Sequence, residues 1–115
     1  MWFNNEGRRI FLWRGATDMR KSFNGLSGIV VSQMGGKLLS GDIFVFVNRR
    51  RDRMKLLCWD RTGFVIWYKR LEEGTFELAG TGDGKVELDP AQLVLILEGI
   101  ALASVRQRKR YSHKR

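Results

Sequence analysis

The sequence predicts an α+β fold: an antiparallel β-sheet, built of a three-stranded meander plus short flanking strands, packed against two helices. Three observations carry this. From Ile43 to Arg70, three apolar runs of strand length are separated by two polar turns. Runs rich in Val, Ile, Phe, Trp and Tyr with polar boundaries read as strands. Met19, Phe23, Leu26 and Val30 recur at intervals of four, three and four residues, which puts them on one face of a helix. Asp89-Pro90 combines an N-cap acid with proline at the first helical position, which opens a second helix.

In chain order, Arg9 to Trp13 reads as a first short strand, broken by Arg14-Gly15-Ala16. Thr17 is the expected N-cap of a helix over 17–34, with Asp18 near its positive end. Gly35-Gly36 ends that helix. Arg20 and Lys21 in its first turn oppose the helix dipole; they suit either an anion site or a solvated face. The meander follows. Its first turn carries Arg49, Arg50, Arg51 and Arg53. Its second, Asp60-Arg61-Thr62-Gly63, reads as a three-residue loop closing on a left-handed glycine. That register sets Asp60 opposite Phe64, Cys58 opposite Ile66 and Leu56 opposite Tyr68. On the other face it sets Leu57 opposite Trp67 and Lys55 opposite Lys69. Facing like charges are mildly destabilising, so the two lysines imply an anion over that end or two side chains turned to water. Lys85 to Leu88 alternates like a short strand. The second helix, near 90–103, carries Leu93, Ile96, Leu97 and Ile100 as its core stripe. Val94 and Leu95 widen its apolar surface, which suits a partner or dimer contact, or a helix wrapped by the sheet and the first helix.

The 115 residues bound one domain, a compact unit over 1–105 with a basic tail over 106–115 that does not belong to the core. Net charge is +9. It is unevenly spread: residues 48–70 carry eight basic and two acidic groups, residues 71–98 one and seven, residues 99–115 six and none. Such an excess points to a polyanionic partner, nucleic acid first and acidic membrane second. The acidic segment is suited to dock on the basic ones. The one cysteine, Cys58, precludes an internal disulfide and reads as a small core residue. No stretch is apolar enough for a membrane span and the N-terminus lacks a signal-peptide pattern, so a cytoplasmic protein is expected.

Catalytic patterns are weak. The only histidine, His113, lies in the tail. Gly80, Gly82 and Gly84 before Lys85 fail the phosphate-loop pattern, because Ala79 and Val86 stand where Gly and Ser or Thr are needed. Two-metal catalysis needs converging acids, and none of Asp52, Asp60, Glu72, Glu73, Glu77 or Glu87 is required to converge. Neither metal nor cofactor is expected, and a non-enzyme is the reading. Gly63 to Trp67 matches only the second half of an RNA-binding signature. Trp59, Trp67 and Tyr68 read as packing rather than base-stacking platforms.

Three segments resemble a known family. Gly15 to Leu26, GATDMRKSFNGL, is similar to a G-x-T-D-M-R-K-x-F-x-G-L segment of TnpB-like, second-frame accessory proteins from bacterial insertion sequences of the IS-sixty-six type. Phe44 to Phe76 resembles that family's N-R-R-x-D-R-x-K-L-L-x-W-D block, and Leu88 to Ile100 its L-D-P end. Position 51 usually holds glycine in the family; here it is Arg51. The resemblance implies a role in transposition beside a separate transposase that carries the strand-transfer chemistry, and it supplies no residue list. The residues themselves suggest DNA binding through Arg49, Arg50, Arg51, Arg53 and Lys55 at the meander tip, helped by Lys69, Arg70 and the tail residues Arg106, Arg108, Lys109 and Arg110. The alternative is a module that docks on the transposase or another subunit. Both are compatible with a homo-oligomer.

Overall fold

The computed structural model describes residues 7–78 and 84–99. Five strands form one sheet: β1 (Ile10–Ala16), β2 (Ile43–Val47), β3 (Arg53–Asp60), β4 (Gly63–Arg70) and β5 (Lys85–Leu88), in spatial order β4-β3-β2-β1-β5. Helix α1 (Phe23–Ser32) lies between β1 and β2 in the chain, and α2 (Pro90–Leu97) follows β5. The expected α+β class is the observed one. The sheet is mostly antiparallel, with one departure: β1 and β2 run parallel. The segment that contains α1 supplies the crossover that a parallel pair requires.

Each face of the sheet has its own core. On one face Ile10, Leu12, Val45, Leu56 and Cys58 pack with Phe76 and with Leu93, Ile96 and Leu97 of α2. On the other, Phe11, Phe44, Phe46 and Leu57 pack with Leu26 and Val30 of α1. The sheet thus separates the two helices, so α2 is not wrapped by α1, and its Val94 stays exposed. Strand β2, IFVFV, is buried at all five positions because both of its faces are covered. Gly36 makes the close packing behind it possible: a Cβ there would lie 2.7 Å from the Phe44 ring and 2.8 Å from Val30.

Asp89 caps α2 as its sequence announces. Its carboxylate accepts from the Gln92 N–H at 2.8 Å, and the Gln92 side chain accepts from the Asp89 N–H at 2.9 Å. The helix stops at Leu97, short of the expected 103: Glu98 and Gly99 form a turn in which Gly99 takes the left-handed conformation (φ 74°) and its N–H donates to Ile96 O at 3.1 Å. Residues 100–103, the tail and most of the glycine-rich loop lie outside the described residues.

Two further local expectations are corrected. Thr17 is not an N-cap. It is buried and its N–H donates to Val47 O at 2.8 Å, extending the β1–β2 pairing, while α1 starts only at Phe23. Asp18 explains the delay: its carboxylate accepts from the Arg20 N–H and its carbonyl from the Lys21 N–H, a turn that competes with the helix. The hairpin register is also one residue away from expectation. Arg61, not Gly63, takes the left-handed conformation (φ 51°), so the loop has two residues and Asp60 pairs with Gly63. Leu56 therefore faces Trp67, Leu57 faces Ile66 and Lys55 faces Tyr68. A one-residue slip exchanges every face of the strand. Trp67 joins the core under α2, and Tyr68 comes out on the α1 side.

Candidate functional site

The arginine turn between β2 and β3 is organised by Asn48. Its backbone N–H donates to Arg53 O, and its carbonyl accepts from the Arg51 N–H, both at 3.1 Å. Its side-chain oxygen accepts from the Asp52 and Arg53 N–H groups at 3.0 Å, and its amide donates to the Asp52 carboxylate at 2.7 Å. The outer side of the turn is tied as well. Arg51 O accepts from the N–H of the buried Phe76, and Asp52 O from the Leu71 N–H, both at 2.7 Å. Arg51 sits at φ 59°, in the left-handed region that glycine occupies most readily. Arg51 therefore adds a charge to the turn at some cost in strain.

From this fixed backbone Arg49, Arg50, Arg51 and Arg53 all project as exposed side chains. None of the described ion pairs engages them. Asp52 and Asp18, two of the carboxylates near the turn, are otherwise held. Asp52 accepts from Asn48, and Asp18 from the Arg20 guanidinium at 2.7 Å. Hydrogen bonding to Arg20 holds the Asp18 carboxyl down at about 2.

The turn faces the segment leading into α1. Thr17, Asp18 and Met19 form one wall of a cleft of about 520 Å³, and Arg49, Arg50 and Arg53 line the opposite wall. The Gly15–Leu26 and Phe44–Phe76 segments, distant in sequence, thus meet here. A second cleft of about 420 Å³, lined by Arg53, Tyr68, Arg70 and Glu72, adjoins the first at Arg53.

The remaining predicted cations have different fates. Lys55 is 8% exposed and is not part of the exposed tip. Its ammonium donates to Met19 O and Lys21 O, each at 2.8 Å, and lies 4.8 Å from the centre of the Tyr68 ring. Lys69 is on the other face, where it donates to Leu97 O at 2.7 Å. A cation at the last carbonyls of a helix complements its dipole. The two lysines thus do not oppose each other; Lys55 secures the segment that leads into α1, and Lys69 the end of α2. The like-charge pair of this hairpin is instead Arg53 opposite Arg70. Arg70 pairs with Glu72 at 2.8 Å. Arg106, Arg108, Lys109 and Arg110 lie outside the described residues.

Two residues of the site were not singled out by sequence. Asn48 carries a legible signal, because an Asn four residues before an Asp at a strand end suits a side-chain-to-backbone turn. From sequence Tyr68 reads as packing, like the other aromatics. Trp59 does pack edge-on against Phe64, with ring centres 5.1 Å apart, but Tyr68 is 48% exposed. Cys58 is buried in the core, where burial pushes its thiol up against the opposing influence of Arg8. Among the described residues, no three His, Cys, Asp or Glu side chains gather as metal ligands, and no helix is long and apolar enough to cross a membrane.

Comparison with known proteins gives a family over nearly the whole chain. Residues 8–107 match the family model described as IS66 Orf2 like protein. Uncharacterized protein y4jC of Sinorhizobium fredii is 32% identical over 104 residues, covering 90% of this chain and 89% of its own length. Uncharacterized protein y4hO of the same organism is 34% identical over 92 residues, 80% of each chain. No solved structure matches. On the extent of this match, the chain belongs to the IS66 Orf2-like family of insertion-sequence accessory proteins.

Proposed function

We propose that this protein is a non-catalytic accessory factor of transposition that binds DNA through the arginine turn, with the basic tail adding to the contact. The observation that carries this reading is the turn itself. Four exposed arginines stand on a backbone fixed by Asn48 on one side and by Leu71 and Phe76 on the other, with Asp18 and Asp52 held by Arg20 and Asn48. Guanidinium forks suit phosphate oxygens, and a backbone ordered in advance loses less entropy on binding. Phosphate contacts position a protein without reading sequence, so element-end and unrelated DNA should bind with similar affinity through this turn.

With Lys55 committed inside the fold, the turn offers four cations rather than five. Neutralising four phosphates of a duplex gives a slope of log affinity against log salt of about −3.6. A salt titration on element-end DNA and on unrelated DNA tests this. A flat dependence, or unchanged binding after removal of the charges at 49–51, contradicts it.

The second reading is a protein-docking module for the separate transposase. It is favoured by β4, an eight-residue strand paired among the described residues with β3 alone, whose Phe64 to Trp67 are only half buried. An open apolar edge accepts another strand. Co-purification with the transposase that survives nuclease treatment, with no gel shift by this chain alone, would establish that reading over the first.

A further inference from the structure

We infer that the preferred nucleic acid is single-stranded, and that it runs from the arginine-lined cleft across Arg53 onto Tyr68, whose ring stacks a base. This deepens the DNA-binding reading and rests on it. Four observations converge. First, alternation along β3 and β4 puts Arg53, Lys55, Tyr68 and Arg70 on one face of the sheet, the face that α1 covers only over its central part. Second, Arg53 and Arg70 stand directly opposite each other in the ladder. Opposed like charges are unfavourable unless an anion lies over them, and Glu72 answers only Arg70. Third, Tyr68 lies in this charged corner as a large aromatic side chain left 48% exposed, and Lys55 holds its ring from below at 4.8 Å. Fourth, the two clefts share Arg53, so the cationic and aromatic surfaces are continuous.

Cations along a groove with an aromatic platform are what an unpaired strand requires. The arginines follow its phosphates, and the ring accepts any base because every base has a π face. A duplex keeps its bases stacked inside and can offer the same corner only phosphates. It would meet the rims of the two clefts, whereas a flexible strand can enter them. Of the carboxylates within the clefts, Asp18 and Glu72 are paired with Arg20 and Arg70, which offsets their charge toward the strand, and Asp52 is held by the Asn48 amide.

The experiment uses the full chain and a fluorescein-labelled oligonucleotide of one mixed sequence, as single strand and as duplex, at fixed salt. Binding is followed by anisotropy for the unchanged protein and for Tyr68→Ala, Tyr68→Phe and the double variant Arg53→Gln/Arg70→Gln, each checked by thermal melting. The single strand should bind more tightly than the duplex. Tyr68→Ala should weaken single-strand binding about 5- to 100-fold, the range seen for loss of a base stack, and leave duplex binding within about twofold. Tyr68→Phe, which keeps the ring, should restore it. The double variant should weaken the single strand more than the duplex. Equal loss on both substrates, or no loss from Tyr68→Ala while the arginine turn still governs duplex affinity, overturns the single-strand assignment and leaves the duplex reading standing. Absence of binding to both forms, with capture by an acidic protein instead, overturns both.

Discussion

Two groups of cations stand a few residues apart on one hairpin and do opposite things. Lys55 and Lys69 turn inward and secure the ends of chain segments on opposite faces of the sheet, one beneath the approach to α1 and the other at the end of α2. Arg49, Arg50, Arg51 and Arg53 turn outward from a backbone that needs none of their guanidinium groups. In sequence the six look alike, a single basic block. The difference teaches that charge density alone does not mark a binding surface. A cation contributes to binding only if the fold has not already used its donors.

Substitutions separate the inward lysines from the outward arginines. The largest effect belongs to Lys55. Lys55→Met keeps much of the stem but leaves the carbonyls of Met19 and Lys21 without their donor. Unfolding in urea should show a loss of about 2–4 kcal/mol, the scale of charge-assisted bonds in a buried setting. Its nucleic-acid affinity should change little while the protein is folded. An unchanged urea midpoint would place Lys55 among the dispensable surface charges.

Lys69→Met should cost less, about 1–2 kcal/mol, because only one carbonyl at the α2 end loses its partner. Smaller again, and of opposite sign, is Arg51→Gly. Relief of the left-handed strain should raise stability by up to about 1 kcal/mol. The same change should make the duplex salt slope shallower by about 0.9, the share of one phosphate. A variant more stable and less salt-sensitive at once separates the two roles; lower stability would mean that the Arg51 side chain supports the turn.

The smallest effect concerns pH. Arg20 lowers the Asp18 carboxyl to about 2 in the folded chain, so the turn it closes contributes stability that is fully present above the ordinary carboxylate value and is lost as pH falls toward about 2. A carboxyl titration by NMR should show Asp18 ionised at pH 3; a midpoint near 4 would mean that the Arg20 contact does not persist in solution.

How much of this was legible in advance follows the range of the interactions involved. The α2 start was readable because Asp89, Pro90 and Gln92 act within four residues of one another. The strands of the meander were readable from apolar runs and their turns. The parallel β1–β2 pair was not, because nothing within either strand fixes its direction. The register of β4 turned on whether Arg61 or Gly63 takes the left-handed conformation, and glycine at the plausible position misled. That one residue hid Tyr68 and produced a lysine pair that does not exist. The roles of Lys55 and Lys69 depend on carbonyls 28 to 36 residues away, beyond any local pattern. The arginine turn itself was visible in sequence, whereas the Asn48 frame that fixes it needed the fold.

The most direct test of the central claim is the salt dependence of DNA binding for the unchanged protein beside the triple variant Arg49→Gln/Arg50→Gln/Arg53→Gln. The account predicts an unaltered melting temperature and a duplex slope shallower by about 2.7, because three phosphates are no longer neutralised. An unaltered slope in a folded triple variant would contradict it, because the outward arginines would then have no part in meeting DNA.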